Sequence, residues 1–524
     1  MFAKRLVLIP ARQSRIKHSK LWHIRSRQFS SSTSASTAQS PTHVSTLAAV
    51  TSELDKLSPR IDIQASQIHV LEGPKEFYTT LKDKLRNAKK RIYLATLYIG
   101  KTEYELMSCI REALAANSEL RVSVLTDALR GTREDPSPSC ASLLASLAAE
   151  FPHQVEIRMY HTPNLTGIKK RLIPKRINEG WGLQHMKIYG IDDEVILSGA
   201  NLSDDYFTNR QDRYHLFSST AVSGYFQRIF DTMCSVSLLL EPTGSAGAFD
   251  LVWPENNACK SPLDDPNGYS QATKKLFADF IQPLTSATPT TNTSIYPLLI
   301  IPNALNNELP AIQSLLATPA PPNSSWLFTA GYFNPHPMVT SSLLTASSGH
   351  VPVTGTVVTA SPWANGFYGS KGISGMLPPA YTLLSRRFLK QARKQEAHVD
   401  FREWRLGTVS RPHGWTYHAK GLWLTFGNAS QQQDPSSEEN PAGPSVTIIG
   451  SSNYTVRSYS LDTEVGAVIV TADSGLQARL KAEQDNLLKH TKSMTEEDLQ
   501  GGERRVGLGV RIAMWIVTAV GGSL

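Results

Sequence analysis

The sequence predicts an α/β protein, with mixed β-sheets flanked by helices, built from two related halves with an active site between them. Three observations predict it. Apolar runs of strand length alternate with helical segments, that order of elements occurs twice, and a pair of basic residues recurs at matching places in the two halves.

In the first half, a helical run from about Lys75 to Lys90 leads into residues 91–98 (RIYLATLY), which have the apolar content and length of a buried strand. Leu120–Asp127 (LRVSVLTD) is a second such strand. In the second half, the helical segment Asn306–Ala317 leads into residues 325–333 (SWLFTAGYF), followed by Val351–Thr359 (VPVTGTVVT). Residues 241–270, rich in Pro, Gly and Asp, divide the halves. This gives a leader over residues 1–45, a first domain over 60–240, a linker over 241–270, a second domain over 271–490 and a C-terminal tail over 491–524.

Composition narrows the class. A chain of 524 residues, 40% of them hydrophobic, is long enough for several cores, and no apolar run reaches the length of a membrane-spanning helix. Cys109, Cys140, Cys234 and Cys259 stand singly, with no CxxC pair, so neither a disulfide framework nor a zinc cluster is expected. The net charge of +8 suggests nucleic acid until it is located. Eight of the 53 Lys and Arg residues precede the first acid, Glu53, and the remainder balance the 45 Asp and Glu. The surplus belongs to the leader, and no nucleic-acid partner is expected.

That leader is Arg-rich, Ser-rich and free of acids, the composition of a mitochondrial transit peptide. Leu6, Val7, Leu8 and Ile9 beside Lys4 and Arg5 can form one face of an amphipathic helix. Arg27-Gln28-Phe29-Ser30 resembles a matrix-protease cleavage site ahead of the low-complexity run Ser30–Ser40. The mature chain is expected to start between residues 30 and 50, on the matrix side of the inner membrane.

The chemistry sits at equivalent places in the halves. Gln184-His185-Met186-Lys187 precedes an apolar run ending in Ser198-Gly199-Ala200-Asn201; Tyr417-His418-Ala419-Lys420 precedes one ending in Gly450-Ser451-Ser452-Asn453. In extended chain the His and Lys of each pair, two apart, project from one face. One such pair arises by chance, whereas two, each followed by a small-residue turn presenting Asn, make a pattern. A phosphodiester repels nucleophiles, so its site must neutralise charge and position the attacking atom. A neutral imidazole can attack phosphorus while an imidazolium protonates the leaving oxygen. Lys187, Lys420, Asn201 and Asn453 can hold the non-bridging oxygens. Asp212 and Glu464, each 11 residues after its Asn, are the candidates to fix the histidine tautomers. No carboxylate cluster has metal-ligand spacing, so no metal is expected.

These residues resemble the phospholipase D superfamily, whose motif is HxKxxxxD followed by a GSxN-type turn, with Asp192 at the motif's acidic position. The resemblance implies duplicated phospholipase D-like domains, with His185, Lys187, Asp192, Asn201, His418, Lys420 and Asn453 as catalytic positions. Residues 196–214 (ILSGANLSDDYFTNRQDRY), 359–372 (TASPWANGFYGSKG), 414–424 (GWTYHAKGLWL) and 449–460 (IGSSNYTVRSYS) are similar to the eukaryotic mitochondrial phosphatidylglycerophosphate synthases. That branch transfers a phosphatidyl group from CDP-diacylglycerol to sn-glycerol 3-phosphate and releases CMP. Other members of the superfamily hydrolyse lipids, make cardiolipin or cut nucleic acids, and water, glycerol phosphate and phosphatidylglycerol all suit the same motif.

The halves differ in one place. His185 and Asn201 are 16 residues apart, and His418 and Asn453 are 35 apart; the surplus matches the polar stretch Gly427–Ser445, which reads as a solvated hairpin tip. Thr425 stands where the second motif expects Asp. Asp192 is therefore read as supporting the first half's geometry, with His185 as nucleophile and His418 as general acid.

Three weaker features remain. Ala95, Gly100, Lys101 and Thr102 match a relaxed P-loop with Ala for the first Gly, a pattern that suggests ATP but lacks the glycine that lets amides wrap a phosphate. Lys169, Lys170 and Arg171, with Lys175 and Arg176, suit glycerol 3-phosphate or an anionic membrane surface, or a solvated face. The apolar tail Ile512–Val520 follows Arg504, Arg505 and Arg511 and is too short to span a bilayer; it suits a peripheral membrane contact or a core-packing helix.

Overall fold

The computed structural model describes residues 42–519, apart from 137, 176, 283–288, 349–352 and 428–442. The leader up to residue 41, read from sequence as a transit peptide, Arg176 and most of the polar stretch after Gly427 lie outside these residues.

Two large mixed sheets carry the duplication. The first runs in space Phe249–Val252, Leu238–Pro242, Val155–Tyr160, Arg121–Asp127, Arg91–Ala95, Ile188–Ile191, Glu194–Ser198, Tyr214–Phe217, Ile68–Leu71. The second runs Thr491–Ser493, Val399–Trp404, Thr354–Ala360, Ser325–Ala330, Lys420–Thr425, Val446–Gly450, Glu464–Thr471, Thr293–Ile301, Ile61–Ile63. Seven consecutive strands correspond, from Val155–Tyr160 against Val399–Trp404 to Ile68–Leu71 against Thr293–Ile301. In each set the first three strands, Val155–Tyr160 to Arg91–Ala95 and Val399–Trp404 to Ser325–Ala330, are parallel and the rest antiparallel. The expected duplication is thus present in topology as well as in motif.

The strands are where the apolar runs predicted them. Thr293–Ile301 (TSIYPLLII) is buried along its whole length because it is covered on both faces. Helix Pro74–Asn87 starts with Pro in its first turn and buries Phe77, Leu81 and Leu85 at four-residue spacing against the first sheet. Outer helices cover one face of each sheet, with Leu106, Ile110 and Leu144 on the first and Ile312, Leu343 and Phe388 on the second. The inner faces meet in one core shared by both halves, where Ile188, Leu197 and Phe217 join Ile295, Ile449 and Ile469.

The boundaries read from sequence need three corrections. Ile61–Ile63 pairs with Thr293–Ile301, so the chain begins its first half by adding an edge strand to the second sheet. Residues 241–270 are more than a linker: Leu238–Pro242 and Phe249–Val252 form a hairpin that extends the first sheet, with Leu240 opposite Leu251. The tail after residue 490 also belongs to the fold, since Thr491–Ser493 pairs with Val399–Trp404 and Leu499 is buried in the second half's core. All three escaped the sequence reading because strands of three to five residues carry too little pattern to be read.

Candidate active site

Each His-x-Lys segment lies just ahead of a central strand and is stitched to the other half. His185 donates its backbone N–H to the carbonyl of Thr463 (2.9 Å), and Thr463 donates to the carbonyl of Leu183 (2.9 Å). In the mirror arrangement, Thr416–Tyr417 pairs in parallel with Arg210–Gln211, and His418 donates to the carbonyl of Gln211 (2.8 Å). Each histidine is thereby placed beside a carboxylate from the opposite half. His185 Nδ1 lies 2.9 Å from Glu464 Oε2, and His418 Nδ1 lies 2.7 Å from Asp212 Oδ2. Both supporting carboxylates expected from sequence are in place, and both pairings are crossed. In each pair Nδ1 faces the carboxylate, which leaves Nε2 for chemistry.

The lysines are close by and buried. Lys187 Nζ donates to the carbonyl of His185 (2.6 Å), and Lys420 Nζ donates to that of His418 (2.7 Å) and lies 3.7 Å from Asp212. Asn201 donates to the Tyr206 hydroxyl (3.2 Å), which lies 3.4 Å from His418 Nε2. The side-chain oxygens of Asn201 and Asn453 have no hydrogen-bond partner among the described residues. Gly199 is required at this point. A Cβ there would stand 2.7 Å from Asp212 Oδ1 and 2.9 Å from Lys420 Nζ.

Burial sets the electrostatics and divides the two pairs. It pushes both imidazoles well below their ordinary range, with Lys187 and Lys420 adding to the effect. It lowers Lys187 to about 7 and Lys420 to about 8. Glu464 is pushed up to about 7 by burial, against the pull of Lys187. Burial acts the same way on Asp212, but Lys420 and His418 outweigh it and hold the carboxyl below its usual range. At neutral pH His418 therefore faces a full carboxylate, while the carboxyl beside His185 is the more readily protonated of the two.

Several groups here were not singled out from sequence. The edges of Tyr206 and Tyr332 flank the His418 ring, with centroids at 5.3 and 5.4 Å, and Tyr381 stacks on Tyr332. Arg210 lies over the Tyr206 ring and bonds Thr416 and Asp205. Behind the site, Arg213 makes a two-pronged ion pair with Glu483 across the halves (2.9 Å each) and stacks on Trp423. Ser451 donates to Glu464 (2.5 Å). Tyr206, Arg210, Arg213, Trp423 and Ser451 lie in the blocks carrying the family resemblance, whereas Tyr332, Tyr381 and Glu483 lie outside them and left no sequence signal.

Asp192 is not in the cluster. It sits at the far end of strand Ile188–Ile191, in a left-handed turn (φ 51°), and its carboxylate accepts the amides of Lys89, Lys90 and Arg91 at 2.8, 2.7 and 3.0 Å. Its role is to tie the turn to the start of strand Arg91–Ala95, which corrects its place among the catalytic residues. The P-loop lookalike forms no phosphate cradle: the amides of Thr96, Ile99 and Gly100 are bonded to Leu125, Cys140 and Leu202, and the Glu103 carboxylate crowds Gly100. Lys101 is exposed, and Thr102 precedes helix Tyr104–Ala116, which starts only after Glu103. Lys169, Lys170 and Arg171 lie exposed on the short helix Gly167–Leu172 and form no ion pair with a described residue, so the structure does not bring them to the histidines. Among the described residues no group of three or more His, Cys, Asp or Glu is arranged to hold a metal ion.

Paired His-x-Lys segments on two mixed sheets define a class, the phospholipase D-like enzymes. Accordingly, residues 81–234 match the family model described as "Cardiolipin synthase, PLD-like domain". The crystal structure of phosphatidylserine synthase from Haemophilus influenzae is similar in fold, with a TM-score of 0.68 over 90% of this chain and 96% of that one at 22% identity. The chain is 45% identical to the CDP-diacylglycerol–glycerol-3-phosphate 3-phosphatidyltransferase of Saccharomyces cerevisiae, over 87% of this chain and 88% of the relative. It is 37% identical to that of Schizosaccharomyces pombe (86% and 94%) and 33% identical to the mitochondrial form of Homo sapiens (87% and 83%). The chain belongs to the CDP-diacylglycerol–glycerol-3-phosphate 3-phosphatidyltransferase family.

Proposed function

We propose that this chain transfers the phosphatidyl group of CDP-diacylglycerol to sn-glycerol 3-phosphate, giving phosphatidylglycerophosphate and CMP, through a phosphohistidine. The observation that carries the reading is the crossed pair of histidine–carboxylate contacts, which supplies two imidazoles of different character in one site. His185, beside the less ionised Glu464, is the neutral nucleophile. Its Nε2 bonds to the phosphatidyl phosphorus as the bond to the CMP oxygen breaks. His418, neutral until substrate enters, takes up a proton at Nε2 with the arrival of the anionic diphosphate. It is held as imidazolium by the Asp212 carboxylate and gives that proton to the leaving oxygen. His418 then takes the proton of a glycerol 3-phosphate hydroxyl as its oxygen displaces His185 from phosphorus, restoring both rings. Lys187 and Lys420, poised near neutrality by burial, become fully charged when a phosphate enters and offset its negative charge. A half-turn of the Asn201 and Asn453 amides directs N–H donors to the same oxygens. The chain's own groups suffice for these steps, and neither a metal ion nor ATP enters the scheme.

The mitochondrial names of the vertebrate relatives and the acid-free leader support a mitochondrial enzyme, placed on the matrix side of the inner membrane. No helix among the described residues is long and apolar enough to cross a membrane, so the association proposed is peripheral. The test is to incubate purified protein with CDP-diacylglycerol, with and without glycerol 3-phosphate. CMP and phosphatidylglycerophosphate formed only with the acceptor, an acid-labile phosphoenzyme lost in H185A, and retention of configuration at phosphorus are expected. Phosphatidic acid as main product would mean a hydrolase; inversion would exclude the covalent intermediate.

A further inference from the structure

Away from the histidines, a cavity of about 560 Å³ opens between helix Leu377–Lys394 and the C-terminal helix Leu508–Ala519. Arg386, Arg505 and Arg511 face it, and no carboxylate lines it. Arg386 donates to the carbonyls of Leu499 and Arg504, and burial together with the charges of Arg511 and Arg504 lowers its guanidinium from the ordinary range. Nearby Arg504 is neutralised by Glu403 at 2.5 Å, but Arg386, Arg505 and Arg511 form no ion pair with a described residue. Three like charges gathered round one cavity without an acid repel each other until an anion enters.

The helix beside the cavity has an exposed apolar ridge. Leu508 is 73% exposed and Ile512 50%, four residues apart on one face, while Val506 and Met514 turn inward. Arg505 and Arg511 are exposed next to that ridge. An apolar ridge flanked by arginines is the pattern of a helix lying in the interface of a bilayer. The place also fits. A Cβ on Gly509 would lie 4.0 Å from Met376, which leads into the helix whose Tyr381 stacks on Tyr332 beside His418. Cavity and ridge therefore pack on the helix that reaches His418 through Tyr381 and Tyr332.

We propose that this cavity binds the phosphate of an anionic phospholipid in the membrane surface, with Leu508 and Ile512 seated in the acyl boundary. The lipid is a docking ligand and is not consumed. A zwitterionic lipid neutralises its own phosphate and leaves the arginines uncompensated, so the surface selects anionic bilayers. The proposal rests on the reading of the site as one that acts on a membrane lipid, and it names where that membrane is held.

The experiment compares the wild-type protein with R505Q/R511Q, R505K/R511K and L508S/I512S, all changed at exposed positions. Sedimentation uses phosphatidylcholine vesicles with and without about 30% phosphatidylglycerol. Each arginine at an anionic surface contributes about fivefold, so R505Q/R511Q should bind about 25-fold more weakly. L508S/I512S should lose about tenfold or more, and R505K/R511K should keep most of the binding. CMP release in detergent micelles, where no bilayer is needed, should stay at the wild-type level in all three variants. Undiminished vesicle binding by R505Q/R511Q, or equal binding to phosphatidylcholine alone, would overturn the proposal. Stabilisation of the wild type by inorganic phosphate without vesicle binding would assign the cavity to a free anion and overturn the membrane source. Protein that docks as expected but releases no CMP would refute the catalytic reading and leave the docking site standing.

Discussion

Replacing Gly199 by Ala should impair the enzyme by pushing the Asp212 carboxylate away from His418. The added Cβ would stand 2.7 Å from Asp212 Oδ1 and 2.9 Å from Lys420 Nζ. Ordinary contacts begin near 3.4 Å, so the carboxylate must withdraw by roughly 0.7 Å. Asp212 Oδ2 now lies 2.7 Å from His418 Nδ1. The same displacement stretches that bond to about 3.4 Å, where it no longer fixes the ring. The overpacking should cost about 1–3 kcal/mol of stability. Misplacing the general acid should lower kcat by roughly 10²–10³-fold, with much smaller changes in KM. The assay is steady-state CMP release at saturating CDP-diacylglycerol and glycerol 3-phosphate, alongside a thermal melt. A G199A protein that melts within about a degree of the wild type and keeps more than about a third of its kcat would refute the argument.

Asp192→Asn keeps a residue that tolerates the left-handed turn and weakens the acceptor of three amides; it should cost about 1–2 kcal/mol of stability and leave kcat intact, so a folded D192N without activity would return Asp192 to the reacting cluster. Glu308, buried behind the site, is pushed up to about 8 by burial. From pH 5 to 8 the folded chain holds a proton that the unfolded chain has released, so this group's contribution to stability falls as pH rises, by up to about 4 kcal/mol. Denaturant melts at the two pH values should show E308Q losing less than the wild type, and parallel losses would show that another group titrates. Glu464, at about 7, should give kcat/KM a limb that rises through neutral pH as its carboxylate forms to accept the His185 Nδ1 proton. E464Q should lack that limb; its persistence would assign it elsewhere. Asp212→Asn, which removes a full carboxylate, should cost roughly 10³–10⁴-fold in kcat at any pH, and a milder loss than in E464Q would contradict the division of roles.

The sequence was most legible where one physical rule acts locally. The runs RIYLATLY and SWLFTAGYF are apolar because central strands are covered on both faces, and they fell where the strands are. Both His-Lys pairs and the two carboxylates were found from spacing, because the two halves repeat it. Spacing says nothing about partners across halves, so Glu464 could not be given to His185, nor Asp212 to His418, before the sheets were seen together. The Arg213–Glu483 pair joins residues 270 apart and leaves no periodic trace. Asp192 was legible as a support of the first half's geometry but not as a residue outside the reacting cluster. It occupies the motif's acidic position, but four strand residues separate it from Lys187, enough to carry it to the far end of the sheet. Tyr206 and Tyr332 belong to the site only through folding, since an isolated tyrosine in sequence reads as core.

The crossed contacts also bear on how such a chain is inherited. Neither half owns a complete histidine–carboxylate pair, so a change in one half disables the histidine of the other, and the two must vary in concert. A chain of half this length would make both contacts by dimerising about a two-fold axis, each copy lending its carboxylate to its neighbour's imidazole. Joining two copies end to end removes the site's dependence on concentration and lifts the requirement that the copies be identical. The Asp and Glu that face the two rings, and the acid present as Asp192 but replaced by Thr425, are asymmetries that a dimer of identical chains has no means to encode. Fusion is what lets the two imidazoles face different acids.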